Sequence, residues 1–122
     1  MSATGEPTGT VEVAMRHAET LLAKRPQLAV EQAQEILKAV PNHAPAAFLL
    51  ARANARIGRG DEAIAALRRT VKLQPDHPEA WRLLGDHLVA TGDAEGADAA
   101  YLRHVKASTR NPRGARPKNE GI

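Results

Sequence analysis

The chain is predicted to be all-α, with six helices in three helix-turn-helix hairpins that stack into a solenoid. Three observations lead there. The sequence matches itself when displaced by 34 residues, the mark of a repeat architecture. Within each interval apolar residues recur three and four apart, the period of an amphipathic helix. The composition is also helical: 43% of residues are apolar, yet Phe48, Trp81 and Tyr101 are the only aromatics. Much of the remainder is alanine, the best helix former and a side chain that lets helices approach closely.

The displacement sets Gly92 on Gly58, Leu84 on Leu50, Ala97 on Ala63, His77 on His43, Pro75 on Pro41 and Gly85 on Ala51. Three units follow, at 10–43, 44–77 and 78–111. Each divides into two helical patterns, giving helices near 10–24, 27–40, 44–57, 61–74, 78–91 and 94–108. In the fourth, Ala63, Ile64, Leu67 and Val71 share a face that excludes Arg68, Arg69 and Lys72. Gly58 and Gly92 suit the left-handed residue that ends a helix, and Asp61 and Asp93 stand where the next one starts. Asp76-His77-Pro78-Glu79 reads as a capping box with Asp76 as N-cap. Outside the hairpins, residues 1–9 are polar and expected to be disordered, as is the tail, 109–122.

The segment PEAWRLLGDHLVATGDAEGADAAY at 78–101 resembles a tetratricopeptide repeat (TPR), with Trp81, Leu84, Gly85, Gly92, Ala97 and Tyr101 at the signature spacing. The middle unit fits through Leu50, Ala51, Gly58, Ala63, Leu67 and Pro75, with Ala47 in place of the tryptophan. The first departs most: Lys24 replaces the turn glycine and His17 the small residue, while Ala29, Ala33 and Pro41 remain. A finer similarity joins RPQLAVEQAQEILKAVPNHAPA and RHVKASTRNP to the front of bacterial proteins in which such repeats precede a sulfotransferase-type domain. It implies an alternative in which the chain is a truncated regulatory or substrate-presenting segment of such an enzyme.

The TPR resemblance implies a superhelix whose first helices line a concave groove, where a peptide or partner helix is received. By helical phase the groove residues are Phe48, Arg52, Ala55 and Arg56 in the middle unit, and Arg82, Asp86 and Val89 in the last. Three arginines beside an apolar strip would suit an acidic or C-terminal carboxylate ligand, because guanidinium matches carboxylate in a fork geometry. The plainer alternative is solvated arginines, with Arg82 and Asp86 an i,i+4 pair worth a few tenths of a kcal/mol. The Lys/Asn clamp of some TPR proteins is not recognisable, since Asn54 is out of phase.

Other chemistries find little footing. With no cysteine, neither a disulfide framework nor a thiolate zinc site can form. His17, His43, His77, His87 and His104 lack metal-ligand spacing; His43 and His77 read as polar helix starts. No HExxH, GxSxG, P-loop or GxGxxG motif is present, so no catalytic, cofactor or metal residue is assigned and no enzyme activity is expected. The formal charge of +3 resides in the tail, where Arg110, Arg113, Arg116 and Lys118 face one acid, Glu120; residues 1–108 carry 13 basic and 13 acidic residues. Without aromatics for base stacking, that tail makes nucleic acid a disfavoured partner. No signal-like or membrane-spanning run is seen, and a cytoplasmic protein is expected. No apolar period follows Ser108 to build a solvating helix, so Leu83, Leu102, Val105 and the edge of Tyr101 should be left exposed. A weak homodimer through this C-terminal hairpin, a longer chain's continuation, or a plain monomer all remain open.

Overall fold

The computed structural model describes residues 7–110. They form six α-helices and, among the described residues, no strand: α1 (Pro7–Lys24), α2 (Pro26–Ala39), α3 (Ala44–Arg56), α4 (Gly60–Leu73), α5 (Pro78–Ala90) and α6 (Ala94–Arg110). The order is that of three successive helix-turn-helix hairpins, as the repeat predicts. Two boundaries differ from expectation by more than one residue. Helix α1 opens at Pro7, so residues 7–9 are helical, and α6 runs on through Thr109 and Arg110. The rest of the expected tail, 111–122, and residues 1–6 lie outside the described residues.

The punctuation shows why the helices stop where they do. Gly58 and Gly92 adopt φ of 80° and 86°, a left-handed conformation that costs glycine little. Around Gly58 the Arg59 N–H reaches the Asn54 carbonyl at 2.9 Å and the Gly58 N–H that of Ala55 at 3.2 Å. Around Gly92 the Asp93 N–H reaches Leu88 O at 2.9 Å and the Gly92 N–H Val89 O at 3.0 Å. These paired bonds are the Schellman closure, which satisfies carbonyls a helix end would leave orphaned.

At the starts of α3 and α5 the capping residue is a histidine. His43 Nδ1 accepts from Ala46 N–H and His77 Nδ1 from Ala80 N–H, each at 3.1 Å. This corrects the expected capping box: proline occupies the start of each helix, Pro45 and Pro78, which places the N-cap of α5 at His77 and leaves Asp76 one residue outside. Asp93 does cap α6, its Oδ1 accepting from Gly96 N–H at 2.9 Å.

The chain divides into two compact units, residues 1–63 and 64–122. In the first, α1, α2 and α3 enclose a core of Ala18, Leu22, Ala29, Val30, Ala33, Leu49 and Ala53, flanked by Met15, Leu21, Leu50 and Ile57. Small residues dominate the seam and larger ones fill the gaps, which lets short helices bury apolar area in close contact. In the second, α5 and α6 pack with Leu84, Leu88, Ala97, Ala100 and Ala107 buried. An added Cβ on Gly85 would lie 2.6 Å from Tyr101 Cε1, so glycine is what permits this approach. Trp81 is partly buried: its Nε1 donates to Pro75 O at 2.7 Å and the Arg103 guanidinium lies 4.7 Å from its ring centre.

Candidate protein-interaction surface

The residues assigned to the groove fall in both units. In the first, Phe48, Arg52, Ala55 and Arg56 all lie on α3, with Arg56 exposed and the other three partly buried. Arg52 is held from two sides. Its guanidinium sits 5.6 Å from the centre of the Phe48 ring, within the range of a cation–π contact. Its Nη1 lies 3.3 Å from Glu19 Oε2 on α1. Both side chains remain substantially exposed, so the pair is worth a fraction of a kcal/mol. Asn54 is buried, 3% exposed, in agreement with its being out of phase with this face.

Beside this face is a depression of ≈ 470 Å³ lined by Glu12, Met15, Arg16 and Glu19 from α1 and by His43 and Pro45 at the start of α3. The four α1 residues, spaced three, one and three apart, follow one helical stripe. Sequence reasoning assigned no groove residue to α1. The 34-residue phase fails there because one residue, Arg25, separates α1 from α2, whereas three separate α3 from α4; the turn glycine is Lys24. The alternation Glu12, Met15, Arg16, Glu19 was the available signal. It makes the surface one of mixed charge rather than a purely basic strip. A second depression, ≈ 700 Å³, opens on another side of α1 against α2, with Leu21, Leu28, Glu31 and Glu35 among its walls.

In the second unit Arg82, Asp86 and Val89 lie along α5 and are exposed, Val89 by 57%. Arg82 is bracketed by carboxylates, Glu79 at 2.9 Å and Asp86 at 3.1 Å. Asp86 also accepts from the Tyr101 hydroxyl at 2.5 Å. That hydrogen bond to a carboxylate favours the protonated phenol and pushes the Tyr101 pKa up, with desolvation adding to it. The expected i,i+4 pair is therefore real, and it continues across to α6. Nearby, burial lowers the pKa of His77, the α5 cap. Among the described residues no three His, Cys, Asp or Glu side chains come together as metal ligands. Nor is any helix among those residues long and apolar enough to cross a membrane.

Comparison with known proteins places this geometry. The family model described as tetratricopeptide repeat matches residues 20–86 and 58–116. Among solved structures, one of MamA superposes with a TM-score of 0.77 at 25% identity, covering 81% of this chain and 58% of that one. MamA from Desulfovibrio magneticus RS-1 gives 0.75 at 23% identity, over 81% of this chain and 56% of that one. An O-GlcNAc transferase from Thermobaculum terrenum gives 0.78 at 22% identity, over 87% of this chain and 21% of that one. The chain thus spans little more than half the length of these two MamA structures. No curated protein matches its sequence significantly. With matched segments that together cover well over half the sequence, carrying Gly58, Gly85, Gly92 and Tyr101 at their structural posts, this chain belongs to the tetratricopeptide-repeat family.

Proposed function

We propose that the chain is a protein-interaction module that receives a peptide or partner helix on the exposed faces of its first helices and catalyses no reaction itself. Family membership supports the general reading, since these repeats build surfaces for other chains. The observation that carries the finer one is the α1–α3 face. It combines a shallow concavity, an aromatic and a thioether (Phe48 and Met15), and an arginine held by exchangeable contacts. A peptide with a carboxylate beside an apolar residue fits that combination: the carboxylate takes the place of Glu19 on Arg52, and the apolar side chain covers Phe48 and Met15. The face of α5, with Arg82 and Val89, offers the same pairing of arginine and apolar side chain. A strongly acidic ligand is less well matched than a mixed one, because Glu12, Glu19, Glu79 and Asp86 already stand among the arginines. Peptide selection against the intact chain, followed by titration of the selected binders in increasing salt, tests this. Binders rich in one carboxylate and one large apolar residue are expected; binders indifferent to Met15→Ala and Arg52→Ala would show that the α1–α3 face is not the site.

A further inference from the structure

The outer side of α6 is an apolar centre between two charged ends. Leu102 and Val105 are 55% and 56% exposed. On the same outer side are Glu95, Asp98 and Ala99 toward the N-terminal end and Lys106, Thr109 and Arg110 toward the C-terminal end, all exposed. The opposite side of the helix holds Ala97, Ala100, Tyr101, His104 and Ala107, which are buried or partly buried against the rest of the unit. Among the described residues, Glu95, Asp98, Lys106 and Arg110 make no ion pair.

We propose that this face pairs with the same face of a second copy, the two α6 helices running antiparallel about a two-fold axis at Leu102. The registration follows from helix geometry. A two-fold axis through residue 102 sets each position opposite the one equally far on the other side of it. Leu102 meets Leu102 of the second copy, and Val105 meets Ala99. Asp98 meets Lys106, and Glu95 meets Thr109 with Arg110 beside it. Leu102, Val105 and Ala99 then have apolar neighbours, Asp98 has a base opposite and Glu95 one adjacent, twice over by symmetry. A parallel pairing in the same register would instead oppose Asp98 to Asp98 and Lys106 to Lys106. One helix per copy buries less than a standard interface, so the dimer is weak and in exchange with monomer. This inference does not depend on the proposed ligand face, which lies on other helices.

The chain contains no cysteine, so a single introduced one reports registration directly. Leu102→Cys is expected to cross-link two copies under mild oxidation. Asp98→Cys is not, because the two positions 98 lie eight residues apart along the antiparallel pair, about 12 Å, beyond the roughly 7 Å that a disulfide spans. Sedimentation of the full chain from micromolar to near-millimolar concentration should show a reversible monomer–dimer equilibrium. Leu102→Glu should abolish it with an unchanged helical spectrum, Asp98→Lys and Lys106→Asp should each weaken it, and the double exchange should restore it. A wild type that stays monomeric throughout, a dimer that persists in Leu102→Glu, or cross-linking at 98 as efficient as at 102 would overturn the proposal.

Discussion

Replacing Gly85 by alanine probes the closest helix approach in the second unit. Elsewhere in an α-helix that change is favourable, by up to about 1 kcal/mol, because alanine loses less backbone entropy. Here the new methyl would lie 2.6 Å from Cε1, 2.8 Å from Cδ1 and 2.9 Å from Cζ of Tyr101, all well inside van der Waals contact. The ring cannot swing aside freely, since its hydroxyl is tied to Asp86 at 2.5 Å. Overpacking of this kind costs about 1–3 kcal/mol, so the propensity gain offsets only part of it. A net loss of roughly 1 kcal/mol is expected, which for a domain of this size lowers Tm by about 3–6 °C. Thermal melts followed by circular dichroism measure it. The decisive control is Gly85→Ala combined with Tyr101→Leu. The pair one repeat earlier is Ala51 and Leu67, so the double variant copies a combination that the chain already uses. In the Tyr101→Leu background, alanine at 85 should stabilise. A Gly85→Ala protein as stable as wild type, or the same effect in both backgrounds, would refute the steric argument.

Two further predictions concern titration. His77 accepts the Ala80 N–H through Nδ1, and burial holds its pKa below the usual 6.5. The folded state therefore binds its proton less readily than the unfolded chain. The stability that this contributes is complete above pH 6.5 and is lost as pH falls through the lowered folded value. His77→Asn retains a capping oxygen and should flatten the acid side of the Tm–pH profile relative to wild type; an unchanged slope would dissociate the cap from the titration. Tyr101 is the only tyrosine, so ultraviolet absorbance follows its ionisation alone. It should titrate above 10 in the folded protein, and Asp86→Ala should bring it down; a midpoint that ignores Asp86 would contradict the hydrogen bond.

Much of the fold was legible because it is written locally. The 34-residue repeat, the helical period and the paired glycines each depend on residues near in sequence, and Gly58 and Gly92 take the predicted left-handed conformation. What was missed depended on register or distance. Asp76 and His77 are both able to cap a helix, and only the placement of Pro78 at its start decides between them. The tight turn at Arg25 shifts α1 out of the repeat's phase, which hid Glu12, Met15, Arg16 and Glu19 from a reading by analogy with α3 and α5. The Arg52–Glu19 pair joins residues 33 apart in sequence, and no pattern along either helix announces it. The i,i+4 pair of Arg82 and Asp86 was readable; the hydrogen bond from Tyr101 that extends it was not.

Binding of another chain on the first-helix faces is tested by a selected peptide's affinity for wild type and for the Arg52→Glu, Arg56→Glu, Arg82→Glu triple variant. All three side chains are at least partly exposed, so the helical spectrum and the dimerisation through α6 should be retained. Calorimetric titration should then show affinity for a carboxylate-bearing peptide falling at least about tenfold, the scale expected when interface arginines are reversed. Undiminished affinity in a triple variant that is folded to the same extent would exclude these faces and move the binding surface to other helices or to residues 111–122.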